Sequence, residues 1–477
     1  MTDKIKVFMT GATGTMGRES VKEILKHPDR LELTVLARDS RKNHRLLDRL
    51  EAEHRLRVIW GDLLNYEDVA RGVADADYVL HIGGMVSPMA DHYPEQTRRV
   101  NVGAAENIVK AAKARPDGGE GVGIVYIGSV AELGNRNQPR HWGRAGDPVW
   151  AAKYDVYAQS KIDAERVIAE SGLPRWVSLR QTGILAPDIV AKGSDPITFH
   201  VPVRGVLEWV TARDSGRLMA NICLADNDES FWKRFYNIGG GRGFRMSNYE
   251  FEQRIMDAMS CPKPEKVFDA NWFATRNFHG MWYEDSDELE RRFHFRGYRD
   301  ADEYFSEFKK GLPFYFKLAA IVPAPLIKMG MKFIATRKPL GTLSWVKGSN
   351  PGRLKAYFGG FEEWKRIPRW EEMDLSHPSE KPIRLDHGYD ETLPESEIDL
   401  EQLRRAAEFR GGKCLATDMK KGDLDTPVEW ECHAGHRFTA TPRLVLLGGH
   451  WCGECMGHDA DLDAEAEKNR FFAQVWK

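Results

Sequence analysis

Largely apolar runs at Ile5 to Met9, Leu33 to Ala37, Val58 to Trp60, Tyr78 to Ile82 and Ile124 to Ile127 each stop at a glycine or a polar residue, and longer mixed segments separate them. Runs of that length suit buried strands, and the mixed segments suit amphipathic helices, so the pattern predicts a parallel sheet with helices on both faces. Further along, residues 314–335 are strongly apolar yet carry Lys317, Lys328 and Lys332 with Pro323 and Pro325. Three central lysines would be costly in a spanning helix, so two short amphipathic helices broken at the prolines are predicted, with peripheral membrane contact as the lesser expectation. Residues 371–400, rich in Pro, Asp, Glu and Ser, read as an extended linker, and Leu400 to Gly411 as a helix.

At 477 residues the chain exceeds one ordinary domain. The expected division is a catalytic α/β domain over 1–310 with a substrate lobe at about 185–300, a helical extension and linker over 311–400, a small metal module over 401–460, and a tail over 461–477. A net charge of -2, from 69 basic and 71 acidic residues, gives no field that would draw in nucleic acid, and none is expected as a partner. Met1 to Lys6 lead straight into the first strand without a charged, then apolar, leader. With six cysteines, too few for a disulfide scaffold, this points to a cytoplasmic setting.

Chemistry enters at Thr10-Gly11-Ala12-Thr13-Gly14-Thr15-Met16-Gly17, between the first strand and a helix running to about Lys26. In that context glycines let the backbone approach a pyrophosphate seated on the helix N-terminus. After the second strand, Arg38 suits the 2′-phosphate of NADP, although Asp39 beside it is able to turn to a ribose, so NADP is favoured over NAD. Asp62, following the third strand, is read either as a partner of the adenine amine or as a helix cap. In Tyr157-Ala158-Gln159-Ser160-Lys161 the phenol and the ammonium are one helical turn apart, an arrangement expected to lower the tyrosine pKa.

The glycine turn, Gly61-Asp62-Leu63, His81-Ile82-Gly83-Gly84, Asn101 to Asn107 and Val125 to Ser129 together resemble the extended short-chain dehydrogenase/reductase superfamily, in its epimerase/dehydratase and 3β-hydroxysteroid dehydrogenase branch, over roughly the first 310 residues. The resemblance implies a Rossmann doubly wound sheet and a catalytic set of Ser129, Tyr157 and Lys161. It implies cofactor contacts from Thr10, Gly11, Thr13, Gly14, Thr15, Met16, Gly17, Arg38, Asp62, Leu63, Ile82, Gly83, Gly84, Asn101, Tyr157, Lys161 and Gln181. Gln181 to Gly183 replace the asparagine usual in nucleotide-sugar epimerases, and Val130 and Ala131 replace the acid pair of dehydratases. The expected reaction therefore interconverts a hydroxyl and a carbonyl on a bulky hydrophobic alcohol or ketone, with Met85, Val86, Trp150 and His200 as pocket candidates. Arg213 is read as pairing with Asp214 or another carboxylate. The alternatives are epimerisation through transient oxidation and a non-catalytic NAD(P) sensor.

Near the C-terminus, Cys432, His436, Cys452 and Cys455 have the spacing of a closed tetrahedral zinc site, with Cys414 as a competing ligand and His433 as a substitute for His436. The surrounding residues resemble zinc-ribbon-like modules. A metal staple is expected here, and a homodimer as the assembly.

Overall fold

The computed structural model describes residues 4–87, 89–189, 195–313, 316 and 321–476. Seven strands form one parallel sheet: β1 (Ile5–Thr10), β2 (Leu31–Ala37), β3 (Arg57–Trp60), β4 (Tyr78–His81), β5 (Gly123–Ser129), β6 (Trp176–Gln181) and β7 (Arg234–Ile238). Their spatial order is β7-β6-β5-β4-β1-β2-β3, the doubly wound arrangement. Side-chain alternation divides the core in two. Val7 and Met9 pack with α1 (Thr15–Ile24) and the helix Ala212–Leu224, whereas Phe8 packs with the helix Pro94–Lys113 and α2 (Val156–Ala169) on the other face. From β1 the chain passes to β2 on one side and later to β4 on the other, so a crevice opens past the ends of β1 and β4.

The expected substrate lobe is built from short strand pairs and helices. Val206–Glu208 pairs antiparallel with Arg245–Ser247, and Ser247 and Glu250 form a capping box that starts the helix Asn248–Ala258. Of the two amphipathic helices predicted from 314–335, the first, with Lys317, falls almost wholly outside the described residues. The second is α3 (Ala324–Thr336), which has proline in its first turn, where a missing N–H costs nothing. Residues 373–394 carry no helix or strand and lie along the preceding part of the chain, and a single 3-10 turn, Glu395–Glu397, follows them. The Ser379 carbonyl accepts from Trp142 Nε1 at 2.9 Å, and Arg144 forks onto Glu391 at 2.8 Å to each oxygen.

After the helix Leu400–Phe409, an antiparallel three-stranded sheet forms from β8 (Lys413–Cys414), β9 (Val428–Glu431) and β10 (Arg437–Ala440). Trp430, Leu444 and Trp451 share one continuous core with Ile168 and Trp176 of the catalytic domain. Residues beyond 460 are not a loose tail. They form the helices Leu462–Lys468 and Arg470–Trp476, and Phe472 and Trp476 stack edge-on against Trp150 at 5.3 and 5.5 Å.

Candidate active site

The turn after β1 closes tightly. Gly11 has φ of +76°, and a Cβ there would lie 2.6 Å from the Gly83 nitrogen; one on Gly17 would lie 2.0 Å from the Gly11 carbonyl oxygen. α1 begins at Gly14 with neither a side-chain cap nor an acidic residue in its first turn, which leaves its N–H groups to an anion. A cavity of 1440 Å³ runs from this turn to the substrate lobe. Its walls include Gly11, Thr13 to Gly17, Arg38, Asp62, Leu63, Ile82 to Gly84, Ser129, Tyr157, Lys161 and Gln181. Gln181 Oε1 is buried there without a hydrogen-bond partner, an acceptor directed at the space a ligand would fill. Uncapped N–H groups, glycines with no room for a side chain and a free amide acceptor fit a dinucleotide.

Two expected contacts act from behind the wall instead. Thr10 Oγ1 accepts from the Gly83 nitrogen at 3.0 Å and meets His81 Nδ1 at 2.9 Å. Asn101 exchanges hydrogen bonds with the Met85 backbone at 2.7 and 3.0 Å. Both fix the Gly83-Gly84 turn. Asp62 accepts from the Leu64 nitrogen at 2.9 Å, and the cap of the following helix is Asn65, so the capping alternative for Asp62 fails. Past the end of β2, Asp39 meets His44 Nε2 at 2.9 Å and lines the cavity together with Arg38, Ser40, Lys42 and Asn43.

Ser129 ends β5, where its hydroxyl accepts from the Ala131 nitrogen at 3.2 Å, and Tyr157, in the first turn of α2, shares the cavity wall with it. Asp155 caps that helix by accepting from the Ala158 nitrogen at 2.8 Å. One turn on, Lys161 Nζ donates to the Ile127 carbonyl at 2.7 Å and sits 4.9 Å above the Tyr126 ring. Burial pulls the Lys161 pKa down to about 8, against the pull of Glu132 and Glu165. The expected acidification of Tyr157 by Lys161 is not what the geometry produces. Burial raises the Tyr157 pKa, and the influence that opposes it is the nearby Ser129 hydroxyl.

Residues 7–180 match the model of the NAD dependent epimerase/dehydratase family. Over this segment the chain is similar to that family. The uncharacterized protein 052L of Frog virus 3 (isolate Goorha) is 30% identical over 192 residues, 38% of this chain and 52% of that protein. The human 3 beta-hydroxysteroid dehydrogenase type 7 is 29% identical over 192 residues, 38% of this chain and 50% of that protein. The chain thus spans about half the length of these two curated relatives. Among solved structures, dTDP-glucose 4,6-dehydratase of Bacillus anthracis str. Ames, in complex with NAD, superimposes with a TM-score of 0.51 at 13% identity, over 64% of this chain and 96% of that one. That likeness establishes the fold.

Behind Tyr157 and Lys161 lies a buried polar network that sequence reasoning missed, with three members in the matched segment and a fourth, His450, outside it. Arg180 grips Glu165 at 2.7 and 3.0 Å and approaches Glu132 at 3.6 Å, and His450 of the C-terminal module meets Glu165 at 2.7 Å. Two buried carboxylates around one guanidinium cannot both ionise easily: burial and Glu165 raise the Glu132 pKa, while Arg180 and His450 hold Glu165 low. Glu132 points back to the Ser129 nitrogen at 2.6 Å, away from a substrate. Another unforeseen residue, Glu252, lines the cavity beside Phe251 and Ile255, and burial pushes its carboxyl up to about 7.

Among the pocket candidates, Met85 and Val86 reach the cavity and two others do not. Trp150 is fully buried against the C-terminal helices, and His200 is buried between Trp345 and Tyr357, donating to the Leu340 carbonyl at 2.7 Å. Arg213 neighbours Tyr298, and the partner of Asp214 is Arg217 at 3.3 Å.

In the module, His436 Nδ1 lies 3.4, 3.6 and 3.4 Å from the sulfurs of Cys432, Cys452 and Cys455, and Cys432 and Cys455 are 3.7 Å apart. A tetrahedral zinc with bonds of about 2.3 Å to sulfur and about 2.0 Å to nitrogen would have edges of roughly 3.8 and 3.5 Å, so the four residues fit that ion. Cys414 stands outside this cluster, and His433 is committed to Glu465 at 2.5 Å.

Proposed function

We propose that the chain is an NADP-dependent oxidoreductase that interconverts a hydroxyl and a carbonyl on a bulky hydrophobic substrate, with a structural zinc in its C-terminal module. The observation that carries this reading is that Ser129, Tyr157 and Lys161 meet at the wall of a cavity whose other end is a glycine cradle. When bound, the dinucleotide supplies or accepts a hydride. Tyr157 is kept protonated by burial, so it is set to deliver a proton to a carbonyl oxygen, and Ser129 orients that oxygen. Lys161 places an ammonium at the same wall, held there by the Ile127 carbonyl. NADP is supported by Arg38 and Lys42, which bring two cations to the cavity wall past the end of β2.

The hydrophobic substrate class is supported by the far end of the cavity, where Trp209, Phe251, Met256, Phe268, Ile327 and Met331 line the wall. Zinc is supported by the tetrahedral edge lengths, and four filled positions leave no place for a reacting water. Consumption of NADPH with a panel of decalones, tetralones and steroid ketones, followed at the nicotinamide absorbance, tests the reaction. A preference for NADH would contradict the cofactor assignment. Epimerisation predicts cofactor retained through purification and no net absorbance change.

A further inference from the structure

Helix α3 has two apolar sides. Ile327, Met331 and Ile334 form part of the cavity wall. On the opposite side Leu326, Met329 and Phe333 are 54, 66 and 70% exposed, and Ile321, just before the helix, is 78% exposed. The spacing of Leu326, Met329 and Phe333 places them in one row along the helix. A contiguous row of this kind on an otherwise polar surface marks an interaction site.

Charge decides what covers it. From Phe308 to Phe361 the chain contains no Asp or Glu, yet it contains Lys309, Lys310, Lys317, Lys328, Lys332, Arg337, Lys338, Lys347, Arg353 and Lys355, within a protein of net charge -2. Lys332, Arg337 and Lys338 are exposed in or directly after α3. A second copy docking here about a two-fold axis would set this basic segment against itself. An anionic surface gains from both features, because the row enters the boundary between headgroups and acyl chains while the lysines and arginines meet the headgroups. No helix among the described residues is long and apolar enough to cross a membrane, so contact of this kind stays at the surface.

We infer that α3 is a docking element for an anionic lipid bilayer, with its outer row in the membrane interface and its inner row walling the substrate cavity. Resting on the oxidoreductase reading above, this makes the substrate an alcohol or ketone dissolved in the lipid, reached across the helix that separates bilayer from cavity.

The test floats the full chain through a density gradient with phosphatidylcholine vesicles, with and without about 30 mol % phosphatidylserine. The protein should rise with the anionic vesicles, less with phosphatidylcholine alone, and less again in about 0.5 M salt. Leu326→Glu with Phe333→Glu, which lies outside the cavity lining, should lower vesicle partitioning about tenfold or more at unchanged melting temperature. Wild-type protein that stays at the bottom with anionic vesicles overturns the docking, as does a double variant that floats like wild type. A wild-type dimer that the double variant splits, with neither form floating, assigns the row to a second copy and also overturns it. Flotation needs no turnover, so vesicle binding without NADPH oxidation on any ketone would remove the oxidoreductase reading and leave the docking intact. A steroid ketone presented in vesicles should lose turnover in the double variant, while a water-soluble ketone should not. Equal turnover of both overturns delivery from the lipid.

Discussion

His450 and His200 each tie an added segment to the catalytic domain, and the two attachments differ in kind. Around His450 the module crosses to the catalytic helix through many polar contacts: the Gly448 and Trp451 carbonyls accept from Arg180 and Arg166 at 2.7 and 2.8 Å, and Thr441 Oγ1 donates to Glu170 at 2.6 Å. One apolar core runs through both parts. Around His200 the contact is mostly apolar, with α3 leaving a full row of side chains in solvent. A segment tied in by many buried polar contacts acts as part of the scaffold, whereas one with an unpartnered face is available to something else.

Removing the metal should have the largest effect. Structural zinc contributes on the order of 10 kcal/mol to small zinc modules. Chelation, or Cys452→Ser, is therefore expected to lower the melting temperature steeply and to take NADPH turnover with it, because α2 loses its backing. Retained turnover in protein shown by elemental analysis to be metal-free would separate the module from the active site. Trp150→Ala should follow at about 3–5 kcal/mol in denaturant unfolding, since the ring is fully buried between the catalytic domain and the last helix.

His450→Ala leaves Glu165 without one buried partner, and a loss of about 1–3 kcal/mol is expected. His200 gives a pH-dependent contrast. Burial lowers its pKa from 6.5 to about 4, so over that interval the unfolded chain binds the proton and the folded chain does not. Its contribution to stability is present above pH 6.5 and is lost as pH falls towards 4. Unfolding midpoints between those limits should fall less steeply in His200→Phe than in wild type. The smallest effect on stability, within about 0.5 kcal/mol, is expected for Leu326→Glu with Phe333→Glu, because both side chains already stand in water.

The dinucleotide half was legible in the sequence because its constraints are local. Gly11, Gly14 and Gly17 sit within one turn, and each is required by a neighbour a few residues away or by the next strand end. Tyr157 and Lys161 were legible for the same reason, one turn apart on one helix. Their electrostatics were not, since the Tyr157 pKa is set by burial that local spacing does not record. Trp150 and His200 were misplaced because the groups that bury them, Phe472 and Trp476 or Trp345 and Tyr357, come from segments far along the chain. The network of Arg180, Glu132, Glu165 and His450 is likewise assembled from separate elements, and no motif announces it.

The central claim is that Tyr157 carries the proton at a site whose cofactor cradle is separate from it. Tyr157→Phe keeps the ring and removes the hydroxyl, so NADPH affinity measured by tryptophan quenching should stay within about twofold, while NADPH oxidation with the best ketone of the panel falls about 10²–10⁴-fold. Turnover within a few-fold of wild type, at unchanged NADPH affinity, would contradict the account.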